Sequence, residues 1–317
     1  MPTINIPLKK DIEASHQRIK NYIHRTPVLT SETFNRRFGS RFFFKCENFQ
    51  KAGAFKSRGA VNAVFSLNDH QAAKGVATHS SGNHAQALAR AAAIRGIKAF
   101  IVMPDNAPTV KINAVRAYGG IITFCKPTLA AREKTLKQVI SKTGAIEIHP
   151  YDKFEIVAGQ ATAAKELIED YPDIDLILAP VGGGGLLAGT ALAAKYFSAR
   201  TKVIACEPAG ADDAYRSFKA GYIIPSEIPK TIADGLLTSL GVLNFEIIKN
   251  DVADVVTVSE EAIKQAMKLI WERMKIVIEP SSAVPFAAVL ENKIEVKNKK
   301  TGIIISGGNI DLSGFAF

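Results

Sequence analysis

The stretch 176–194 carries no charged side chain and includes four consecutive glycines at 182–185. It approaches the length of a membrane span, which is about 20 residues. In lipid, however, Pro180 and the glycines would leave backbone groups without hydrogen-bond partners, whereas a buried strand followed by a turn and a helix satisfies them. The stretch therefore predicts a core strand over 176–181 that runs through a glycine loop into a helix.

Strand and helix patterns alternate on both sides of this unit. Apolar runs predict further strands at 41–46, 75–79, 99–103, 121–124, 202–206 and 302–306, with a return that starts at 146–150. Helical periodicity predicts helices at 11–24, 59–67, 83–95, 110–118, 130–143, 158–169, 259–274 and 282–291. Such alternation is typical of the α/β class, in which helices cover a mainly parallel sheet.

The chain length predicts two domains or one large α/β unit. With 317 residues, the chain exceeds what one simple core supports. The change from one block of alternating elements to the next predicts a small domain over 72–149. The residues on either side, 1–71 and 150–317, then form a large domain.

Charge and cysteine content limit the partners. The chain has 40 Lys and Arg against 30 Asp and Glu, a formal net charge of +10. The basic residues are scattered, and the densest group (Lys297, Lys299 and Lys300) has no interleaved aromatic residues, so we expect no nucleic-acid partner. A positive field suits small anionic ligands. Three widely separated cysteines support neither disulfides nor a zinc site, and the N-terminus lacks a signal peptide's apolar segment, so we expect a cytoplasmic protein without a membrane partner.

The glycine loop predicts a phosphate site. Successive backbone N–H groups between a strand and a helix can converge on an anion, and the helix dipole adds attraction. A tight turn that needs positive φ at one or two glycines is the alternative. The dinucleotide motif fails because Leu187 replaces its third glycine, and the nucleoside-triphosphate motif fails because Ala188 and Gly189 precede Thr190. Glu207, at the end of the next strand, keeps a nucleotide-dependent oxidoreductase open as an alternative.

Two further runs place reactive and polar side chains at loop positions. Lys56 lies where a loop enters a helix, with Arg58 close by, and both features should lower the pKa of its amine and favour Schiff-base chemistry. Most lysines, however, are solvated surface residues. The run from Ser80 to His84 ends one strand and begins the next helix, the usual place for ligand groups in a parallel sheet. Its small donors can hold a carboxylate, or they merely cap the helix.

These runs, together with Ser306-Gly307-Gly308-Asn309, resemble the fold type II pyridoxal-phosphate enzymes, the family of serine racemases and serine/threonine dehydratases. Similar segments are Phe44-Lys45-Cys46-Glu47, Thr231-Ile232-Ala233-Asp234-Gly235 and Trp271-Glu272-Arg273-Met274-Lys275. The resemblance extends in order over about residues 9–312. It implies a homodimer with the two-domain fold of the tryptophan synthase β subunit, in which each domain is an open twisted sheet and the small domain is mobile and closes over the substrate.

By this resemblance the chain uses pyridoxal 5'-phosphate. Lys56 would form the Schiff base with the cofactor, Phe55 would pack against its ring, and Asn83 would bond its hydroxyl. Ser306 would bond the ring nitrogen, and a hydroxyl there, unlike a carboxylate, should leave that nitrogen unprotonated. The phosphate would lie on Gly182, Gly183, Gly184, Gly185 and Leu186, and Gly235 belongs to the same cofactor-binding set.

The resemblance also implies two catalytic residues, Lys56 and Ser81. Lys56 would remove the Cα proton on one face and Ser81 would act on the other, which permits interconversion of L- and D-serine. Loss of the β-hydroxyl would instead give pyruvate and ammonia. The substrate would be held at its carboxylate by Ser80, Ser81, Gly82, Asn83 and His84, with Arg132 and Ser239 near its other end.

Position 81 bears on which reaction prevails. Simple threonine dehydratases of this family typically carry alanine where Ser81 stands, which favours racemase activity. Serine and 3-hydroxyaspartate dehydratases can share the paired serines, so a dehydratase without significant racemase activity stays open. A non-catalytic binder of a phosphate ligand is the alternative from another class.

Two further sites follow from the resemblance. Glu207, Ala211 and Asp213 would bind a divalent cation through two carboxylates and a carbonyl, and oxygen ligands suit Mg, Ca or Mn. A solvated acidic loop is the alternative. ATP, as an activator between subunits, would contact Glu13, Ser31, Lys51, Gln86, Tyr118, Lys275 and Asn309. Glu32 and Thr33 depart from the family pattern, and an extra carboxylate beside a polyphosphate is unfavourable.

Overall fold

The computed structural model describes residues 4–311; residues 1–3 and 312–317 lie outside the description. The strands are β1 (Val28–Leu29), β2 (Arg41–Cys46), β3 (Val76–His79), β4 (Ala99–Pro104), β5 (Ile121–Cys125), β6 (Ile146–Glu147), β7 (Leu176–Pro180), β8 (Lys202–Pro208), β9 (Asp254–Val258) and β10 (Lys300–Ile305). The helices are α1 (Lys9–Ile19), α2 (Glu32–Phe38), α3 (Lys56–Ser66), α4 (Asp69–Ala73), α5 (Asn83–Arg95), α6 (Thr109–Ala117), α7 (Leu129–Thr143), α8 (Phe154–Asp170), α9 (Gly185–Phe197), α10 (Asp213–Ala220), α11 (Val242–Asp251), α12 (Glu260–Met274) and α13 (Pro280–Leu290). Short 3-10 turns occur at Glu47–Phe49, Lys51–Gly53, Ala209–Ala211 and Asp234–Leu236.

The strands within residues 4–311 form two sheets. The larger has the order β1-β2-β10-β7-β8-β9, and its pairs are parallel except for β1 with β2. The smaller, β5-β4-β3-β6, is parallel throughout and takes its strands from residues 76–147. Helices flank both sheets, which confirms the predicted α/β class. The domain boundaries stay predictions, and the two ends of the predicted large domain fall outside the described residues.

The large sheet is buried on both faces because its central strands are continuous apolar runs. In β10, Ile303 pairs with Phe44 on one side and with Leu178 on the other. Helices α8 and α9 cover one face, where Leu187 is fully buried, and α12 and α13 cover the other, where Phe286 is fully buried. In the small sheet the alanine-rich helix α5 packs on one face and α7 on the other.

The uncharged stretch 176–194 forms β7, a glycine loop and α9, as the sequence predicts. Its strand and helix both belong to the core of the large sheet. Within residues 4–311, no helix combines the length and the apolar character that crossing a membrane requires.

Some element bounds differ from the prediction. Helix α1 ends at Ile19 rather than at 24, because both backbone groups of His24 pair with the Gln50 side chain at 2.8 Å and draw the chain out of the helix. Helix α3 begins at Lys56 rather than 59, and α8 begins at Phe154 rather than 158. The elements β1, β9, α2, α4, α10 and α11 have no counterpart in the prediction, since each is short and packs through contacts with distant parts of the chain.

A cluster of buried charges holds the first turn of α3. Arg58 is fully buried and donates to both oxygens of Glu47 at 2.7 Å and to both oxygens of Glu166 at 2.8 Å. Lys45, also fully buried, donates to Glu166 at 2.7 Å. Two cations and two carboxylates thus neutralise one another and join α3 to β2 and α8.

Helices α3 and α8 also cross at unusually short range. A Cβ at Gly159 would lie 2.7 Å from the Cα of Gly59, and a Cβ at Gly59 would lie 2.5 Å from the Gln160 side chain. Side chains at either position would force the helices apart. The two glycines therefore set how closely the start of α3 approaches α8.

Removing the buried guanidinium tests whether this cluster supports the fold. Arg58→Met should lower the free energy of unfolding by about 3–5 kcal/mol, because it leaves two buried carboxylates with one cation. Urea unfolding followed by circular dichroism measures the change. Arg25→Met is the matched control, since Arg25 pairs with Glu169 and Asp170 on α8 while its side chain is 47% exposed, and it should cost about 1 kcal/mol or less. Equal losses in the two variants would contradict the special role of the buried cluster.

Candidate active site

Lys56 is the first residue of α3, and the loop before it is tied to the end of β10. The backbone N–H of Phe55 donates to the carbonyl of Ser306 at 3.0 Å. The Lys56 amine donates to the carbonyl of Pro150 at 2.8 Å and lies 5.0 Å from the centre of the Phe55 ring. Burial lowers the pKa of Lys56 to about 8, against the opposing effect of Glu279. An amine with this pKa is partly unprotonated near neutral pH and can act as a nucleophile.

The cause of this pKa differs from the sequence-based expectation. Arg58 does not face the amine, because its guanidinium is fully engaged by Glu47 and Glu166 in the buried cluster. The lowered pKa of Lys56 comes from burial. The amine has a carbonyl partner, and the nearby acid, Glu279, is itself held by Asn83.

The glycine loop leads from β7 to an uncapped helix. Helix α9 has Gly184 at its N-cap in a left-handed conformation, with φ +88°, and no side chain caps it. Among the described residues, the backbone N–H groups of the first turn find no hydrogen-bond partner. They and the helix dipole are therefore available to an anion.

Only one of the four glycines has a positive φ, so the turn alone does not explain the run. The others allow close approach. A Cβ at Gly183 would lie 2.4 Å from the Tyr151 ring, and one at Gly182 would lie 2.9 Å from the Leu236 Cα. Because Pro150 accepts from Lys56 and Tyr151 packs on Gly183, the amine and the loop share one site.

The serine loop at 80–82 ends β3 and begins α5. No side chain caps α5 at Gly82, and the Ser80 hydroxyl accepts from the N–H of Gly82 at 3.3 Å. Ser81 is half-buried, and its hydroxyl makes no hydrogen bond to another described residue. The helix-capping alternative for these serines is therefore wrong. The N-terminus of α5 offers a second set of open N–H groups to an anion.

Asn83 is oriented from behind by two residues that lie far away in sequence. Its Nδ2 donates to both oxygens of Glu279 at 3.0 Å, and its Oδ1 accepts from Asn309 at 2.9 Å. Burial raises the pKa of Glu279 to about 7. The amide of Asn83 is thus fixed at the start of α5. Its partner Asn309 also packs against Gly53, in the loop that leads to Phe55 and Lys56.

The His84 side chain cannot donate a hydrogen bond to a substrate carboxylate. Its Nε2 pairs with the carbonyl of Ile148 at 3.1 Å, and burial lowers its pKa to about 3, so the ring is neutral and Nε2 carries the hydrogen. Nδ1 then has only a lone pair and no partner among the described residues. A lone pair cannot donate to a carboxylate. Any contact from His84 to a carboxylate must come from its backbone N–H in the first turn of α5.

Ser306 lies immediately after β10 and is almost completely buried. Its hydroxyl is 2.9 Å from that of Ser282 on α13. The segment 231–240 covers the glycine loop from the other side, where Gly235 donates its N–H to Ser281 at 3.0 Å. Ser306 is also next to the loop that carries Lys56, because its carbonyl accepts from the N–H of Phe55.

Arg132 and Ser239 lie in different parts of the chain, on α7 and in the segment 231–240. Arg132 on α7 is half-buried, and its Nε has no partner among the described residues. Burial lowers the pKa of His79, the last residue of β3, and the charge of Arg132 lowers it further, which places that charge near the serine loop. The Ser239 hydroxyl accepts from the N–H of Ser226 at 2.8 Å.

Sequence reasoning missed Tyr151, His149 and Glu279. The Tyr151 ring packs on the glycine loop, and its hydroxyl bonds Thr238. His149 accepts from the N–H groups of Tyr151 and Asp152 at 3.3 and 2.9 Å, and burial lowers its pKa to about 4. The one available signal was position, since 149–151 follow β6 at the carboxyl edge of the small sheet.

The acidic loop after β8 is buried rather than solvated. The Glu207 carboxylate accepts from the N–H groups of Ala214 and Tyr215 at 2.9 and 2.8 Å, and Asp213 accepts from Leu240 at 3.2 Å. Burial raises the pKa of Glu207 to about 9 and that of Asp213 to about 6. One oxygen of Asp213 is buried without a partner among the described residues.

This environment fits a cation better than a ribose. The Glu207 side chain accepts from two backbone amides and is fully buried, so a bulky ribose cannot reach the acid that the oxidoreductase alternative requires. No group of three His, Cys, Asp or Glu side chains suited to a metal occurs within residues 4–311. A cation there would rest on Glu207, Asp213 and the carbonyl of buried Ala211.

The seven positions considered for a nucleotide are only partly brought together. Asn309 donates to the carbonyl of Ala52, next to Lys51, at 2.8 Å, and the turn that holds Lys51 packs on α5, which carries Gln86. Tyr118 ends α6, which also packs against α5.

The remaining positions are engaged elsewhere. Ser31 caps α2 through Phe34 at 3.5 Å, and Lys275 donates to the carbonyl of Glu272 at 2.6 Å. Glu13 lines a pocket between α1, α8 and α9 whose described lining includes none of the other six positions.

A family model described as "Pyridoxal-phosphate dependent enzyme" matches residues 19–307. The chain is 53% identical over 307 residues to the β-hydroxyaspartate dehydratase of Paracoccus denitrificans, covering 97% of this chain and 98% of that protein. It is also 53% identical over 312 residues to the serine racemase of Dictyostelium discoideum, covering 97% of this chain and 96% of that protein. The solved structure of maize serine racemase is similar with a TM-score of 0.96 and 46% identity, covering 98% of this chain and 95% of that one. The similarity thus extends across both sheets.

A single methyl group tests the glycine loop as an anion site. Gly183→Ala should weaken protection by inorganic phosphate against thermal unfolding by about tenfold in concentration, because its Cβ would clash with the Tyr151 ring and displace the loop. The double variant Gly183→Ala, Tyr151→Ala should regain part of the protection, since the ring is gone. Phosphate protection of Gly183→Ala equal to that of the wild-type protein would contradict this assignment.

Proposed function

This chain belongs to the pyridoxal-phosphate-dependent enzymes and is an enzyme of the racemase and ammonia-lyase type, and from that premise we propose that it interconverts L- and D-serine and also converts serine to pyruvate and ammonia. When bound, the cofactor withdraws electron density from the substrate Cα and makes its hydrogen acidic. One observation carries the proposal: Lys56, whose pKa is lowered, lies near the uncapped N-termini of α5 and α9.

The residues around Lys56 fit this cofactor. The open N–H groups of Gly182 to Leu186 suit its phosphate, and Lys56 is the amine that would attach it. Phe55 lies beside the amine, Asn83 is held in place for the ring hydroxyl, and Ser306 presents a hydroxyl to the ring nitrogen. These roles are proposals, supported by the hydrogen bonds that fix each side chain.

A second helix N-terminus suits the substrate. The carboxylate of serine would lie on the open N–H groups at the start of α5 and on the hydroxyls of Ser80 and Ser81. This orientation would leave the substrate Cα open to one base on each face. Lys56 moves the proton on one face and Ser81 on the other, which is what racemisation requires. Loss of the β-hydroxyl, followed by hydrolysis, gives pyruvate and ammonia.

A dehydratase acting on 3-hydroxyaspartate is the second candidate. Arg132 favours it, because its positive charge near the serine loop and its unpartnered buried Nε suit a second carboxylate. A relative with 53% identity is named for that substrate. Rapid oxaloacetate formation from 3-hydroxyaspartate, with no D-serine formed from L-serine, would favour this candidate over racemase activity.

We also propose a divalent cation, Mg, Ca or Mn, at Glu207, Ala211 and Asp213. Glu207 and Asp213 are buried carboxylates with raised pKa values, and one Asp213 oxygen has no partner among the described residues. Arg216 acts on them through its charge but pairs directly with Asp212, so a hard cation would supply the missing direct contact. Glu207 is the next-to-last residue of β8, and Ala211 and Asp213 follow this strand. The proposed role of the ion is structural or activating, without contact to the substrate.

The chain is further proposed to act in the cytoplasm as a homodimer that binds ATP as an allosteric activator. Phe49 and Val277 are exposed apolar residues, and each lies two residues from a proposed nucleotide contact, Lys51 and Lys275. A subunit interface that binds the nucleotide would cover such apolar residues. All three cysteines are free thiols, which suits a reducing compartment.

Residues 72–149 are proposed to move as the small domain over the substrate. The ion pair of Lys111 on α6 with Asp234 bridges this block and the segment that covers the glycine loop. Such a contact suits a closed arrangement that excludes water from the cofactor.

The two-base proposal is tested with Ser81→Ala. In the cofactor-loaded enzyme, D-serine formation from L-serine should fall by at least about 10²-fold, because one base is lost, while pyruvate formation should fall by less than about tenfold, because Lys56 remains. Chiral chromatography and a pyruvate assay on the same samples measure both. Equal loss of the two products would contradict the division of roles, and pyruvate without D-serine from the wild-type enzyme would favour a dehydratase.

The cation proposal predicts a pH-dependent stabilisation. Without a cation, the raised pKa values mean that the protonated carboxyls stabilise the fold fully below about pH 4, and this contribution is lost as pH rises through about 6 for Asp213 and about 9 for Glu207. The rise in Tm caused by millimolar Mg or Ca should therefore grow between about pH 5 and about pH 8.

Neighbouring aspartates provide the matched pair for this experiment. Asp213→Asn should abolish the rise in Tm, whereas Asp212→Asn should keep it, because Asp212 is half-exposed and pairs with Arg216. A rise in Tm that shrinks as pH increases, or that survives Asp213→Asn, would count against the proposed site.

A further inference from the structure

Ser282 is a buried hydroxyl directly behind Ser306. It is the third residue of α13 and has no exposed surface. Its oxygen lies 2.9 Å from the Ser306 hydroxyl, 2.7 Å from the carbonyl of Gly307 and 2.7 Å from the N–H of Gly307. Since the Gly307 N–H donates to it, Ser282 receives one hydrogen bond and has one hydrogen to give.

That hydrogen has two competing acceptors, Gly307 and Ser306. The Gly307 carbonyl also accepts from the N–H of Glu279 at 3.1 Å. It therefore keeps a partner when Ser282 turns toward Ser306. When Ser282 donates to Gly307, both hydroxyl hydrogens of the serine pair have acceptors. When Ser282 donates to Ser306, the hydrogen of Ser306 needs an acceptor in the site, so a bound acceptor would favour this direction.

The direction of the Ser282 hydrogen bond decides whether the Ser306 hydroxyl can donate a hydrogen bond into the site or can only accept one. If Ser282 donates to Gly307, the contact between the two serines requires Ser306 to donate to Ser282, and Ser306 then presents only lone pairs. If Ser282 donates to Ser306, the hydrogen of Ser306 is free to point into the site. Lone pairs suit a protonated ring nitrogen, whereas the free hydrogen suits an unprotonated one.

We propose that Ser282 is a positioning residue that donates to Ser306 in the cofactor-loaded enzyme, so that Ser306 in turn donates to the ring nitrogen. This inference rests on the proposed role of Ser306. A hydroxyl that accepts one hydrogen bond becomes a stronger donor in the next, and in a dry site this reinforcement is effective. Ser282 thereby strengthens the contact that tunes the cofactor without touching the cofactor itself.

The test uses holoenzyme reconstituted with pyridoxal phosphate that is labelled with nitrogen-15 in its ring. The ring-nitrogen NMR signal reports its hydrogen bonding directly, independently of turnover. Ser282→Ala should shift this signal toward that of a weaker hydrogen bond and lower kcat for racemisation and for elimination by about three- to tenfold. Ser40→Ala is the matched control, because Ser40 forms a buried hydroxyl contact with Thr301 at the opposite end of β10, and it should leave the signal unchanged.

A double-mutant cycle separates action through Ser306 from a general structural effect. If Ser282 acts through Ser306, then Ser282→Ala should add no further shift of the signal, and less than about a twofold change in kcat, to Ser306→Ala. An additive effect, or no shift in Ser282→Ala, would overturn the inference. A signal that Ser306→Ala leaves unchanged would instead overturn the proposed role of Ser306.

If Ser282→Ala fails to fold, Ser282→Cys replaces it. The thiol has nearly the same size but is a weak donor, so the signal should shift in the same direction as predicted for alanine. A folded Ser282→Cys holoenzyme with the wild-type signal would equally overturn the inference.

Discussion

The buried pairing of Arg58 with Glu47 and Glu166 is the constraint on which the site depends. One guanidinium joins the start of α3 to the large sheet and to α8, and Lys45 balances the remaining charge. Lys56 lies two residues earlier in the same turn. Because a misplacement of about 1 Å can cost about a hundredfold in rate, a rigid anchor this close to the amine matters for chemistry as well as for stability.

The anchor also explains why Lys56 is reactive. Arg58 contacts two carboxylates, which raise the pKa of its guanidinium against the effect of burial. Burial lowers the pKa of Lys45, although Glu47 and Glu166 oppose the shift. Lys56 has only the carbonyl of Pro150 as its close partner, and burial without a paired carboxylate lowers the pKa of its amine. The pKa values of Lys56 and Arg58 are thus shifted in opposite directions, because Arg58 contacts carboxylates and Lys56 contacts a carbonyl.

Around this amine, the two sheets each contribute an uncapped helix. Helix α9 follows β7 of the large sheet, and α5 follows β3 of the small sheet, so both begin at the carboxyl ends of parallel strands. A cofactor phosphate and a substrate carboxylate are both anions, and each would find its own set of backbone donors. In the proposed site, hydroxyls rather than charged side chains would supply the remaining contacts at Ser81 and Ser306. Ser282 lies behind Ser306, one residue further from the ligand.

The parts of this site that could be predicted from the sequence are those encoded locally. The glycine run, the serine loop and the lysine each stand at a strand or helix end that the periodicity reveals. Tyr151, Glu279 and Ser282 reach the site only through contacts with Gly183, Asn83 and Ser306, which no local pattern encodes. For the same reason the sequence suggested Arg58 as a cause of the lowered pKa of Lys56, whereas tertiary packing turns that side chain into the core.

Reduction of the cofactor-loaded enzyme with borohydride, followed by peptide mapping, shows which residue carries the cofactor. The cofactor should become fixed to the peptide that contains Lys56, and Lys56→Ala should leave no fixed cofactor although the glycine loop is intact. Cofactor fixed to a different lysine, or bound by the wild-type enzyme with none fixed after reduction, would contradict this prediction.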